Sequence, residues 1–268
     1  MKLDNFQVIV FNYITCVITG SIVNGSFPIN TNNIHQGWFK WAMIMGLMFI
    51  SLFNLIAYTA QKSGVAVTSV ANKLSMVIPF LFSIYLYNEP ATLLKVLGII
   101  VALVAVLLTC WPGKTTNEAK QSNALIWILP AVLFVGSGLL DSLIKFVEHH
   151  YLDGNNNNDY LVTAFASAGT AGIILLAYQY LSGKNRFSWK ALLMGIALGV
   201  PNYFSIWCLV RVLKDYSNNS SAIFPINNMG IVLFSTLAAW LAFKEKLSIV
   251  NWLGVLLSLG AIALIAFG

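Results

Sequence analysis

Lys73 is the residue whose position most strongly indicates chemistry. It lies within an apolar run at about 66–87, roughly three residues from the middle of that run. A lysine at this depth of a bilayer costs at least about 2.5–3.5 kcal/mol, so it needs a compensating role. Thr68, Ser69 and Asn72 lie near it at helical spacing and form one polar patch. Such an ammonium group suits the carboxylate or phosphate of a substrate; the alternative is an ion pair that locks two helices together.

Asp141 and Lys145 form a second pair of charges inside an apolar run. They are four residues apart on a segment at about 125–148, where a helix places both side chains on one face. One interpretation is a pair that neutralises itself near the membrane interface. The other makes Asp141 a candidate for proton coupling, or a partner of Lys73.

Neutral polar residues mark further faces that must avoid lipid. In hydrocarbon these groups need hydrogen-bond partners, so they face protein or a water-filled cavity. Interhelical hydrogen bonding is the ordinary role, and cavity lining is expected for the members nearest the helix-bending prolines or the repeat positions. These members are Asn54, Tyr58, Asn202, Tyr203 and Asn228. Pro79, Pro201 and Pro225 each remove one helix hydrogen bond and favour a bend.

The composition places these residues in a membrane protein. Of 268 residues, 58% are hydrophobic and 9% are charged, against the ~25% charged residues of soluble domains. This excludes a soluble single domain, a disordered chain and a nucleic-acid binder. The sequence has no phosphate-binding loop of an ATP-driven pump. The segment from Asp153 to Asp159 alternates oxygen-bearing residues but lacks the glycine and glutamate of a calcium loop, so neither a metal nor a cofactor is predicted.

Nine apolar runs predict an all-α integral membrane fold. Each is long enough, at roughly 20 residues, to cross a bilayer as a helix. The predicted spans are about 5–23, 38–60, 66–87, 92–111, 125–148, 160–181, 189–210, 220–243 and 248–267.

An internal repeat organises these spans. A shift of 156 residues places 66–110 over 222–266 without a gap, and it matches Asn72 with Asn228 and Gly98 with Gly254. The predicted domains are a first repeat of four helices (1–113), a linker (114–124) and a second repeat of five helices (125–268). Two inverted five-helix repeats would be complete if one more helix preceded Met1, so the first helix is expected to be missing. A protein of nine helices is the alternative.

The repeated helix ends carry a family resemblance. Each copy has a helix with scattered polar residues, a glutamate after that helix and a glycine in the following helix. The first copy is Tyr85-Leu86-Tyr87-Asn88-Glu89-Pro90 with Gly98. The second is Ala242-Phe243-Lys244-Glu245-Lys246-Leu247-Ser248 with Gly254. We expect both glutamates to cap or pin their turns rather than carry protons. The pattern resembles the drug/metabolite transporter superfamily, in its EamA-like branch, across almost the whole chain.

The resemblance implies a carrier with a central cavity that works by alternating access. The expected protein is a multi-pass transporter of the plasma (inner) membrane that moves a small polar or anionic metabolite and is not an enzyme. Its expected partners are this substrate and the lipid bilayer, with a homodimer left open and no nucleic acid. Binding would use Lys73, Asn72, Ser69, Asn54, Tyr58, Asn202, Tyr203 and Asn228. The alternative is a non-transporting membrane component or an inactive truncated relative.

Overall fold

The computed structural model describes residues 4–25, 27, 31–111, 125–153, 156–183, 185–242 and 248–268, and these are almost entirely helical. The helices are α1 (Asn5–Asn24), α2 (Thr31–Ile34), α3 (Phe39–Ser63), α4 (Val65–Leu74), α5 (Val77–Tyr87), α6 (Leu93–Thr109), α7 (Leu125–Tyr151), α8 (Asn157–Leu181), α9 (Trp189–Asp215), α10 (Ser220–Ala242) and α11 (Ile249–Ala266). The described residues contain no β-strand. The all-α prediction is confirmed.

Eight helical segments are long and apolar enough to cross a membrane, when α4 and α5 are counted as one segment, Val65–Tyr87. The remaining predicted span, 92–111, corresponds to α6, an apolar helix of 17 residues. At about 1.5 Å per residue, α6 lies at the lower limit of the length that spans a hydrocarbon core. The described residues therefore agree with the prediction of about nine spans.

The segment from Val65 to Tyr87 is interrupted between Leu74 and Val77. Pro79 has no amide hydrogen, so the carbonyl of Ser75 lacks its usual donor four residues later. The amide of Ile78 instead donates to this carbonyl at 3.0 Å. The break therefore lies one turn before Pro79. By contrast, Pro201 and Pro225 lie inside continuous helices.

One compact unit comprises Met1–Ala57 and Leu143–Asp215. We call it unit 1. In this unit α1 packs against both α8 and α9. Two glycines allow α9 to approach α1 closely: a Cβ atom on Gly195 would lie 2.4 Å from Cβ of Phe11, and one on Gly199 would lie 2.7 Å from the carbonyl oxygen of Asn12. Small residues at such crossings let membrane helices pack through their backbones.

The second unit, unit 2, comprises Tyr58–Ser142 and Tyr216–Gly268. Here α6 packs along α11, and α10 contacts α5, α6 and α11. A buried apolar cluster includes Met76, Ala105, Met229 and Ala261, so it joins the start of α5 to α6, α10 and α11. Each unit contains segments from both halves of the chain. These units are defined by contacts and differ from the two sequence repeats, which stay a prediction. The predicted linker at 114–124 lies outside the described residues.

Candidate functional site

Lys73 lies in the last turn of α4, immediately before the break that separates α4 from α5. Its Nζ donates a hydrogen bond to Oδ1 of Asn228 on α10, at 3.2 Å. The side chain of Lys73 is half-buried, whereas Asn228 is only 7% exposed. The two polar residues that the sequence singled out on different repeats therefore meet within unit 2.

The amide of Asn228 is held in a fixed orientation by its own helix. Its Nδ2 donates to the carbonyl oxygen of Phe224 at 3.2 Å, one turn earlier in α10. Because an amide nitrogen has only donors, this bond leaves Oδ1 to accept from Lys73. The asparagine therefore presents an oxygen, and the neighbouring ammonium group keeps hydrogens for another acceptor.

The end of α4 provides a favourable electrostatic environment for a cation. Carbonyl groups in the last turn of a helix have no partner in the helix, and they carry partial negative charge. The hydroxyl of Ser75 donates to the carbonyl of Asn72 at 2.6 Å, and the amide of Met76 donates to that of Lys73 at 3.3 Å. The break therefore places the helix terminus beside the lysine, near the middle of the segment Val65–Tyr87.

Asp141, in the part of α7 that belongs to unit 2, is the acidic residue that interacts with Lys73. The two opposite charges attract each other, although they form no ion pair within 4 Å. The side chain of Asp141 is half-buried. Both interpretations of Asp141, as half of a self-neutralising pair with Lys145 and as a proton-coupling group or partner of Lys73, stay predictions. The ion pair recorded for Lys145 is with Glu148, at 2.8 Å.

The remaining predicted members of unit 2 lie on α3 and α4. Asn72 and Ser69 are half-buried on the Lys73 helix, and the structure gives neither side chain a hydrogen bond to a described residue. Tyr58 is 43% exposed, and Nζ of Lys62 lies 5.8 Å from the centre of its ring. Asn72 and Ser69 can therefore add polar groups beside the lysine.

The predicted members of unit 1 are hydrogen-bonded within that unit. Asn54 donates to the carbonyl of Ile50 at 2.7 Å, in its own helix. Asn202 on α9 donates to Oδ1 of Asn12 on α1, with a long distance of 3.4 Å. The hydroxyl of Tyr203 lies 3.5 Å from Oδ1 of Asn158, which also accepts from Trp207 at 2.7 Å. The contacts of Asn202 and Tyr203 therefore join helices, whereas that of Asn54 stays within α3.

From the sequence, Glu89 was expected to cap or pin the turn in which it lies. In the structure it binds the start of a helix that is distant in the sequence. Its carboxylate accepts hydrogen bonds from the backbone amides of Ser220 and Ser221, at 3.0 and 2.7 Å, and from the hydroxyl of Ser220. Glu89 therefore caps α10, a helix 131 residues further along the chain. Glu245, its match in the repeat, lies outside the described residues. The described residues hold no group of three side chains suited to a metal.

Comparisons with known proteins identify the family to which the chain belongs. The sequence profile of the EamA-like transporter family matches residues 1–111 and 123–267. An uncharacterized protein of Haemophilus influenzae is 27% identical over 222 residues, which cover 82% of this chain and 72% of that protein. A protein of Lactobacillus johnsonii named "Putative sugar uptake protein" is 24% identical over 247 residues, which cover 88% of this chain and 82% of that protein.

The fold also occurs among solved structures. One crystal structure aligns with a TM-score of 0.74 and 15% sequence identity, and the match covers 98% of this chain and 87% of that one. At this identity the likeness shows the fold alone. The family profile covers both halves of the chain and nearly all of its apolar helices. The chain is a multi-pass membrane protein that belongs to the EamA-like transporter family.

Proposed function

We propose that this protein is a secondary transporter that moves a small polar or anionic metabolite across the plasma (inner) membrane by alternating access. Lys73 binds a negatively charged group of the substrate, and Asn228, Asn72 and Ser69 orient the remainder. The observation that carries the proposal is the half-buried ammonium group at a helix break, hydrogen-bonded to a neutral asparagine.

The partners of Lys73 favour substrate binding over the locking of two helices. A structural lysine inside a membrane protein is usually neutralised by a close acid, because an unpaired charge is costly there. Lys73 forms no ion pair within 4 Å with any described acidic residue. Its attraction to Asp141 lowers the cost of the charge and leaves the ammonium group able to bind an anion.

The chemistry of the polar patch supports a hydrogen-bonding metabolite. Amides and hydroxyls bind the hydroxyl and oxo groups of small metabolites, and the lysine adds a site for a carboxylate or phosphate. The relative from Lactobacillus johnsonii is named for sugar uptake. A sugar acid or a sugar phosphate combines both features, so gluconate and glucose 6-phosphate are the first substrates to test, with glucose as the neutral comparison.

The test is uptake into proteoliposomes that contain the purified protein. We expect the wild-type protein to transport an anionic member of a labelled panel of glucose, gluconate and glucose 6-phosphate. Lys73→Gln should reduce kcat/KM for that anion at least about tenfold, because a hydrogen bond to a charged group is worth about 1.5–3 kcal/mol. Lys40→Gln removes the same charge from an exposed position and is the matched control.

The outcome separates the proposal from its alternative. If Lys73→Gln folds and transports the anion as well as the wild type, Lys73 does not bind the substrate. If the wild-type protein transports no member of the panel, or of a wider panel of amino acids and organic acids, the chain is a non-transporting membrane component.

Asp141 is the proposed proton-coupling residue. Since its carboxylate is attracted to Lys73, a change of its protonation would alter how strongly Lys73 attracts an anion. We expect Asp141→Asn to abolish accumulation driven by an imposed pH gradient and to retain exchange of labelled for unlabelled substrate. Loss of both activities to the same extent, in a folded protein, would remove the coupling role.

A further inference from the structure

The turn between α5 and α6 holds a carboxylate that is almost completely removed from solvent. Glu89 is 5% exposed, and Ser220 and Ser221, which supply its three hydrogen-bond donors, are fully buried. A buried carboxylate is costly unless its oxygens are satisfied. Here two backbone amides and one hydroxyl at the start of α10 satisfy it. The carboxylate also lies at the positive end of that helix.

Two further contacts fasten the same end of α10. The hydroxyls of Ser83 on α5 and Ser220 on α10 lie 3.0 Å apart. On α6, Lys95 is only 3% exposed, and its Nζ donates to Oδ1 of Asn219 at 2.7 Å. Residues of α5, of α6 and of the turn between them therefore form hydrogen bonds with three consecutive residues, Asn219 to Ser221, at the start of α10. We call these contacts the Glu89 clamp.

The clamp and the candidate substrate site lie on the same pair of antiparallel segments. Lys73 contacts Asn228, and ten residues later Ser83 contacts Ser220. Ser220 and Asn228 are separated by eight residues, or about 12 Å of α helix. Between these polar contacts the packing is apolar, with Phe80 and Ala222 in one buried cluster. Because apolar contact is non-directional, it tolerates sliding that a hydrogen bond does not.

We propose that Glu89 is a positioning residue for transport, whose carboxylate holds the start of α10 on the α5–α6 turn and so keeps Asn228 in register with Lys73. This inference rests on the proposed function for its effect on transport. Its structural part, the register of α10, is independent of any substrate. Glu89 itself contacts no substrate.

The structural part is tested by a distance between two spin labels. Val67 on α4 and Phe234 on α10 are exposed, and both lie beyond the Lys73–Asn228 contact on the side away from the clamp. Both can be replaced by cysteine in a chain whose Cys16, Cys110 and Cys208 are alanine. In Glu89→Gln the new amide nitrogen cannot accept a hydrogen bond. We expect the distance distribution from electron paramagnetic resonance to broaden and to shift by about 1.5 Å or more, the rise of one helical residue. An unchanged distribution overturns the proposal.

The functional part is tested by rescue. We expect Glu89→Gln to raise KM about three- to tenfold for the anion of the gluconate and glucose 6-phosphate panel, with a smaller change in kcat. Ser83→Cys with Ser220→Cys places two thiols where hydroxyls are 3.0 Å apart, so that oxidation can form a disulfide in place of the clamp. The disulfide should restore KM in Glu89→Gln, and dithiothreitol should abolish the rescue.

One control and one fallback variant keep the results distinguishable. The same disulfide should not rescue Lys73→Gln, since that variant lacks the binding group itself. If the disulfide forms in Glu89→Gln and KM stays raised, Glu89 does not act through the position of α10 and the proposal is wrong. Should Glu89→Gln fail to fold, Ser220→Ala removes one of the three donors, and an unchanged label distance there also overturns the proposal. If the wild type transports nothing, the proposed function fails while the label distances still decide the register.

Discussion

Asn251 shows at the scale of one residue how a buried amide can organise two helices. It is 8% exposed, and the two hydrogens of its Nδ2 are shared among the carbonyl oxygens of Leu108, Thr109 and Trp111 at the end of α6, which lie 2.9–3.2 Å away. Its Oδ1 accepts from the amide and hydroxyl of Ser248 at the start of α11. One side chain therefore satisfies orphan groups at the ends of two helices, which lipid could not do.

Replacement of Asn251 by leucine should destabilise the protein measurably. The variant leaves carbonyl oxygens of α6 without their donor, and an unsatisfied buried polar group costs about 1–3 kcal/mol. We expect the free energy of unfolding, measured by reversible denaturation in mixed detergent micelles, to fall by about 2 kcal/mol. Leu253→Ala, at a half-exposed neighbour on the same helix, is the control and should change it less. Equal stability of Asn251→Leu and the wild type would show that water or lipid headgroups satisfy these carbonyls.

The sequence indicated which single residues are unusual, but it could not supply their partners. Lys73 was recognisable because a charge inside an apolar run is expensive. The repeat made Asn228 notable, yet the hydrogen bond between these residues joins positions 155 apart in the chain. The same applies to Glu89, whose capping role was predicted but whose helix was not. Composition and periodicity report burial, whereas such pairings are set by how the helices pack.

At the scale of helices, the pair α6 and α11 depends on two glycines at matching repeat positions. A Cβ atom on Gly254 would lie 2.4 Å from the backbone nitrogen of Thr109 and 2.9 Å from the carbonyl carbon of Leu108. A Cβ atom on Gly98 would instead meet Cγ1 of Ile265 at 2.5 Å and its backbone nitrogen at 3.1 Å. An added methyl group at Gly254 would therefore collide with backbone atoms, which cannot move aside easily. At Gly98 it would collide mainly with the side chain of Ile265, which can rotate.

These contacts predict an order of stability for three alanine substitutions. All three replace a helical glycine, so the gain in helix propensity of about 0.5–1 kcal/mol is common to them. Gly254→Ala should lose the most stability, because overpacking costs about 1–3 kcal/mol, and Gly98→Ala should lose less stability. Gly260→Ala meets nothing within 4 Å and should be neutral or stabilising. Thermal unfolding in detergent measures the order, and a result in which Gly260→Ala is the least stable would contradict the packing of α6 on α11.

The position of α6 in the membrane can be tested directly. This helix has 17 residues, and it packs along α11, which has the length and hydropathy of a membrane span. We therefore expect α6 to cross the bilayer. Single cysteines at Ala91 and Trp111, in a chain without the native thiols, should react with an impermeant maleimide from opposite sides of the membrane. Both positions are exposed beyond the two ends of the helix. Labelling from the same side would make α6 a helix that does not span.

Helix positions were the most predictable level of the structure. Every predicted span corresponds to a helical segment whose ends differ by only a few residues, because apolar length is what the bilayer selects. The interruption between α4 and α5 is the main departure from a simple span. Pro79 indicated a bend, and the break lies one turn earlier, since a proline removes the donor for the carbonyl four residues before it.

At the scale of the whole molecule, each compact unit is built from both halves of the chain. In unit 2, α6 of the first half packs along α11 of the second, and α5 contacts α10. In unit 1, α1 of the first half packs on α8 and α9 of the second. Neither half therefore contains the partners that its own helices need. Once inserted, membrane helices associate through such packing and through hydrogen bonds between them.

This interleaving predicts how the protein behaves when its chain is cut between the halves. Fragments 1–113 and 125–268 expressed separately should be degraded or aggregated, since α1, α6 and α11 lack their partners. When co-expressed, they should copurify and give a several-fold higher yield of monodisperse material. A cut inside α10, after Ile231, is the control and should not be rescued, because it interrupts a helix that contacts α5, α6 and α11. If each half is stable and monodisperse alone and the two do not copurify, the packing of α6 on α11 and of α1 on α8 and α9 cannot be what holds the units together.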